Sequence, residues 1–179
     1  MFIKQISKPL ATQVIENAAI YLVVFAMLLY GIGKPFQFTN STLQGKLISN
    51  LSGMELMWAF YGYSKPFVYL LGFLEISGAL LLVFYRTRIV GCFILSTILI
   101  NVILQVIFYG VNFGALMAAI IYQLLICFIL ICNKNKLMAA IKLITAKKVL
   151  HINNKKFVVT LYSILLFITL KFVEYLITH

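Results

Sequence analysis

Of the 179 residues, 63% are hydrophobic and only 11% are charged, where a soluble domain carries roughly a quarter of its residues as charges. So few charges cannot cover a water-soluble globule of this length, and lipid must replace water over much of the surface. The formal net charge of +11 arises from 15 Lys and Arg against four acidic residues, all of them Glu. These bases sit in short segments between long apolar runs, which points to anionic lipid headgroups rather than nucleic acid.

In chain order, Lys4 and Lys8 precede an apolar run that superficially resembles a signal peptide. The run is too long, and no A-x-A cleavage pattern follows, so it reads as a retained first span. A bilayer core about 30 Å thick needs roughly 20 apolar residues at 1.5 Å each. Stretches 14–33, 67–85, 89–109, 113–132 and 157–177 meet that length. Arg86-Thr87-Arg88 joins the second and third, and Gly110-Val111-Asn112 the third and fourth. Links this short force antiparallel neighbours. The loop 34–66 is long, and its 51–63 stretch is apolar enough to predict a short helix lying on or dipping into the membrane. Segment 134–150 places Leu137, Ile141 and Ile144 on one face, with Lys136, Lys142 and Lys147 off it. This reads as a basic amphipathic helix in the inner-leaflet interface, with Lys134, Lys136, Lys142, Lys147 and Lys148 at lipid headgroups. The expected fold is all-α: an antiparallel four-helix transmembrane bundle over 1–133, then the interfacial helix and a fifth span over 134–179.

Orientation follows from the bases. With the N-terminus cytoplasmic, eleven of the 15 Lys and Arg fall inside and four, Lys34, Lys46, Lys65 and Lys171, fall outside. The expectation is an inner-membrane protein with a cytoplasmic N-terminus and an external C-terminus.

Ionisable residues at membrane depth are costly, by roughly 2.5–3.5 kcal/mol on insertion scales, and so carry most of the functional information. Glu75 lies near the middle of the second span, with Gly72 and Gly78 on adjoining turns to let a neighbouring helix approach and shield it. Asn101 and Gln105 on the third span, and Tyr122 and Gln123 on the fourth, lie at similar depth, so a polar cluster with Glu75 is expected. That cluster reads either as mutual hydrogen bonding that fixes register or as a proton, quinone or substrate site. Lys34 ends the first span and either snorkels to phosphate or turns inward to Glu55 or a ligand. Glu16 opens the first span, where a helix N-terminus favours negative charge. Lys171 and Glu174 interrupt the last span near its end, within snorkelling reach of headgroups.

Cys92, Cys127 and Cys132 lie in or at the ends of apolar runs with no CxxC pair, which reads as small buried side chains rather than a disulfide framework or thiol relay. His151 and His179 have no His-x3-His partner, so neither zinc nor haem is expected. There is no nucleophile elbow, Walker loop or dinucleotide fingerprint. No cofactor is predicted, with quinone the one left open.

The run Gly53-Met54-Glu55-Leu56-Met57-Trp58, the segment Gly72-Phe73-Leu74-Glu75-Ile76-Ser77-Gly78 with Leu81-Leu82, and Arg86-Thr87-Arg88-Ile89-Val90-Gly91 resemble the DoxX-like membrane proteins of bacteria. Their pattern is G-x-x-E-x-x-x-x-x-L-L in the second span, a basic turn, and a Gly-containing third span. The resemblance spans about residues 15–132 and implies a four-helix membrane bundle with Glu75 as its intramembrane glutamate. Some such relatives are subunits of thiosulfate:quinone oxidoreductase, and the similar MauE proteins assist redox maturation. The amphipathic segment and fifth span depart from the common four-span pattern. The first functional expectation is a non-catalytic subunit or accessory factor of a redox or envelope complex, partnered by another membrane protein or by its own copies. The alternatives are a quinone-linked redox protein using Glu75, with Asn101, Gln105 or Tyr122 holding a quinone carbonyl, and a small proton-coupled transporter.

Overall fold

The computed structural model describes residues 8–38, 47–146 and 155–178, with only the helix path at 155–157. Among the described residues there are seven α-helices, one 3-10 turn at Ile48–Asn50, and no strand. The helices are α1 Leu10–Gln37, α2 Gly53–Tyr63, α3 Lys65–Val83, α4 Arg88–Phe108, α5 Phe113–Cys132, α6 Lys134–Thr145 and α7 Lys155–Thr178. Five of them, α1, α3, α4, α5 and the Val158–Thr178 stretch of α7, are long and apolar enough to cross a membrane. That is the make-up of a multi-pass helical membrane protein.

The first helix overruns the apolar stretch that announces it. α1 begins at Leu10 rather than at residue 14, and it continues through Lys34 and Pro35 to Gln37. Hydropathy marks where lipid contact ends, but the backbone hydrogen-bond ladder has no reason to stop there. Lys34 therefore lies inside the helix instead of ending it. Local chemistry explains the other boundaries. Ser52 and Glu55 form a reciprocal capping box at the start of α2, satisfying two otherwise orphaned amides. Pro66 occupies the first turn of α3, where its missing N–H costs nothing. Asn112 caps α5 through Gly114 N–H at 2.6 Å, just after Gly110 takes a left-handed φ of 60° that favours glycine.

The chain divides into two compact units, 1–140 and 141–179. In the first, α1 packs on α3 and α5, α4 packs on the same two, and α2 packs on α3. The buried residues of α1, namely Ala19, Ile20, Val23, Ala26 and Met27, recur at helical spacing. They meet Leu82 from α3, Leu95 and Leu99 from α4, and Ile126 and Ile129 from α5. A second cluster at one end joins Phe38, Met57, Tyr61 and Val68, with the Phe38 and Tyr61 rings stacked at 4.9 Å. Away from these cores the helices present large apolar side chains outward, Phe25, Phe73 and Leu124 among them. A water-facing surface of this kind would aggregate; a lipid-facing one is solvated.

Glycines set the closest approaches. A Cβ on Gly72 would stand 2.5 Å from the Gly31 carbonyl oxygen, and one on Gly31 would stand 2.8 Å from the Gly72 oxygen. The α1 and α3 backbones touch there. Gly91 of α4 plays the same part against α3, where its Cβ would lie 2.5 Å from Leu82 N. Gly78 faces the Leu95 side chain. Gly31 also lies against Ile76 while Gly72 lies against Lys34, and Gly78 and Leu82 meet Leu95 and Gly91 in reverse order, so α1 and α3, and α3 and α4, are antiparallel.

The second unit comprises the end of α6 and α7. α6 covers most of the expected amphipathic segment, with Lys134 and Lys142 exposed and Lys136 partly buried. Lys147 and Lys148 lie outside the described residues.

Candidate functional site

Two buried carboxylates organise the first unit, Glu16 near one end of its helices and Glu75 mid-way along α3. Side chains on a helix lean toward its N-terminus. α1 and α3 are antiparallel, so Lys34, high on α1, leans down and Glu75, mid-way along α3, leans up. The Gly31–Gly72 contact brings the two backbones close enough for the side chains to meet. Lys34 Nζ lies 3.1 Å from Glu75 Oε1, with only 14% and 4% of the two side chains exposed. Glu75 Oε2 is buried without a hydrogen-bond partner among the described residues. Tyr30, one turn before Lys34, meets Tyr122 of α5 edge-on at 6.2 Å between ring centroids.

The other polar residues expected near Glu75 distribute themselves differently. Tyr61 of α2 donates to Gln105 Oε1 at 2.8 Å, and the Gln105 amide donates to Asn101 Oδ1. Asn101 itself is exposed. Gln123 donates to Ser96 Oγ at 2.7 Å across the α4–α5 contact, leaving its Oε1 buried and without a partner among the described residues. The structure thus pairs Glu75 with Lys34, Tyr122 with Tyr30, Gln123 with Ser96, and the Asn101–Gln105 pair with Tyr61. The reason is register. Gly78 meets Leu95 and Gly91 meets Leu82, which sets Glu75 level with residue 98 and leaves Asn101 on an outward face. Glu55, a candidate partner for Lys34, instead accepts from Ser52 N at 2.9 Å and Ser52 Oγ at 3.0 Å. Beyond the α1 end, a cleft of about 260 Å³ is bounded by Pro35, Phe38, Tyr61, Lys65, Val68 and Tyr69.

The second carboxylate, Glu16, was read from sequence as a helix-start charge. It lies past the first turn of α1 and is 3% exposed. Arg88 Nη1 at the start of α4 donates to Oε1 at 3.0 Å, and Asn133 Nδ2, just after α5, donates to the same oxygen at 2.7 Å. Lys8 pairs with Oε2. Asn133 is itself fixed by donating to Ile129 O at 2.8 Å. One carboxylate therefore ties together α1, α4 and the end of α5. The available signal was positional: Glu16, Arg88 and Asn133 sit at the same end of an alternating helix stack.

Beside this hub, Lys136 of α6 donates to the Tyr85 carbonyl and, at 3.3 Å, to that of Arg86. Its ammonium lies 4.2 Å from the Tyr85 ring centroid, within cation–π range. Burial, with Arg88 nearby, pushes the Lys136 pKa below the usual lysine value.

Chemically, each site is a charge pair or network spanning helices. No group of three His, Cys, Asp or Glu able to hold a metal ion occurs among the described residues.

The chain is similar to a protein of Bacillus subtilis (strain 168) named "Uncharacterized protein YwoB", with 33% identity over 82 residues, 45% of this chain and 53% of that protein. The aligned segment spans about half the length of this curated relative. No family model matches the chain. No solved structure matches it either.

Proposed function

We propose that the chain is a DoxX-like protein of the bacterial inner membrane, acting as a non-catalytic subunit or assembly factor of a membrane complex. In this reading α1, α3, α4 and α5 form an antiparallel transmembrane bundle, α6 lies in the cytoplasmic interface, and α7 is a fifth span. The N-terminus is cytoplasmic, which puts Arg86, Arg88, Lys134 and Lys136 on the positive side. The Gly72–Glu75 segment and the basic turn supply the family resemblance.

The observation that carries the non-catalytic role is how the buried acids are spent. Glu16 and Glu75 are both held by cations from other parts of the chain, so the charges that lipid would penalise most serve helix contacts. The test is isolation of the full chain from native membranes, with bound proteins and quinone identified and Glu75→Gln in parallel. A companion protein in fixed stoichiometry, kept in the variant, is the expected result. An isolated monomer with bound quinone that it reduces would overturn it.

One observation favours the quinone-linked alternative. Glu75 Oε2 has spare acceptor capacity near the Tyr30–Tyr122 pair, as a proton-accepting site would need. Under that reading Glu75→Gln inserts normally and abolishes quinone reduction.

A further inference from the structure

The cleft beyond the end of α1 plays no part in either carboxylate site. Its walls come from three helices: Pro35 and Phe38 of α1, Tyr61 of α2, and Lys65, Val68 and Tyr69 of α3. It lies beside the break between α2 and α3, where the single extended residue Ser64 separates the two helices. The Tyr61 ring stacks on Phe38 at 4.9 Å and on Phe67 at 6.0 Å, which makes one wall flat and apolar.

The charge of the cleft has one sign. Lys65 is the charged residue on its lining, and no acidic side chain among the described residues joins it there. The salt bridges among the described residues take Lys8, Lys34, Arg88 and Lys171, leaving Lys65 out. Lys34, next to Pro35, is neutralised by Glu75, so Lys65 sets the local charge. Tyr61 spends its hydroxyl proton on Gln105. The Lys65 ammonium and the Tyr69 hydroxyl are therefore the side-chain donors that the lining offers.

Position and size narrow the occupant further. Phe36, Tyr63, Phe67 and Tyr69 are exposed around this end of the helices, as in the aromatic belt that marks the headgroup level of a bilayer. Pockets for whole drug-sized ligands span roughly 300–1,000 Å³. At about 260 Å³, this one suits a polar head whose remainder lies in the membrane.

We infer that the cleft holds the phosphate head of an anionic phospholipid. Lys65 and Tyr69 donate to the phosphate oxygens, the Phe38–Tyr61 wall covers the glycerol, and the acyl chains run along the lipid-facing side of α3. With a cation and no acid on its lining, the cleft favours a head of net negative charge over a zwitterionic one.

The test uses the full chain in phosphatidylcholine vesicles and reads Trp58, the chain's one tryptophan, whose ring meets Phe38 at 5.3 Å. Lipids brominated near the head end of their acyl chains quench an indole at close range. Half-maximal quenching should need an at least fivefold lower mole fraction of brominated phosphatidylglycerol than of brominated phosphatidylcholine, about what one lysine supplies at an anionic surface. Lys65→Gln should bring the two lipids level, Tyr69→Phe should narrow the gap, and Lys65→Arg should keep it. Lys134→Gln removes an exposed cation at the opposite end of the bundle and should change nothing. Unaltered Trp58 emission in unbrominated vesicles shows that each variant is folded. Equal quenching by both lipids, a preference that survives Lys65→Gln, or one lost equally with Lys134→Gln would each overturn the inference. So would relief of the quenching by glycerol 3-phosphate, which would make a soluble phosphate ester the occupant.

Discussion

The two buried carboxylates of the first unit sit in opposite situations. Glu16 accepts from Arg88 and Asn133 on one oxygen and pairs with Lys8 on the other. Glu75 has Lys34 on one oxygen and nothing among the described residues on the other. Glu16 is near the helix ends, where loops and caps from several elements converge and can each contribute a donor. Glu75 is deep between two helices, where only side chains long enough to travel along the helix axis can arrive. Redundancy is cheap at a bundle's end and scarce in its middle. The cost of losing one partner should differ accordingly.

The largest effect should come from Lys34→Met, which strips Glu75 of its cation. Removing one partner of a buried pair costs about 3–5 kcal/mol because it leaves an uncompensated charge. Arg88→Met should cost less, about 1.5–3 kcal/mol, the range for a hydrogen bond to a charged group, since Glu16 retains Lys8 and Asn133. Thermal unfolding of both variants in one lipid mimetic measures the difference, and the reverse order would break the contrast between redundant and single pairing. Gly72→Ala sharpens it. The added methyl meets the Gly31 carbonyl, and overpacking of this kind costs about 1–3 kcal/mol; it should also loosen the Lys34–Glu75 approach, visible as faster exchange of α1 amides near Gly31. A smaller loss, about 0.5–1.5 kcal/mol, is expected for Tyr61→Phe, which deletes one neutral hydrogen bond to Gln105. Smallest of all is Gln123→Leu. Its amide makes one good bond, to Ser96, and buries an oxygen with no partner among the described residues, so replacement should shift stability by less than about 1 kcal/mol. A large loss there would mean that Gln123 meets a partner outside this chain.

The helices were legible because apolar runs of membrane length leave few alternatives. α5 falls at Phe113–Cys132 on its apolar stretch, and α2 lies within the 51–63 stretch singled out in the long loop. Boundaries were less so: Lys34 looks like a terminus by hydropathy, yet the helix runs past it. Glu75 and its flanking glycines stood out as a charge at depth beside small residues. Its partner did not, because that pairing depends on which way side chains lean on antiparallel helices and on the Gly31–Gly72 crossing, neither visible along one strand of text. Glu16 was the clearest miss. Its partners Arg88 and Asn133 lie far along the sequence, and a glutamate near a helix start has a sufficient local explanation that conceals the long-range one. The Asn101, Gln105, Tyr122 and Gln123 candidates were expected at similar depth to Glu75, but similar depth does not fix which face of a helix a residue occupies, and the α3–α4 register sets Glu75 level with residue 98 rather than with Gln105.

The central claim is that the Lys34–Glu75 pair holds helices together rather than performing chemistry. It is tested most directly by replacing both charges at once, with Lys34→Met/Glu75→Leu in the full chain in its native membrane. Well-packed apolar residues often substitute for a buried ion pair with no loss of stability. The expected result is a protein that inserts, unfolds near the wild-type temperature and keeps its companion proteins. A variant that inserts and stays folded but no longer supports quinone reduction or proton-coupled uptake measured for the wild type would contradict the claim.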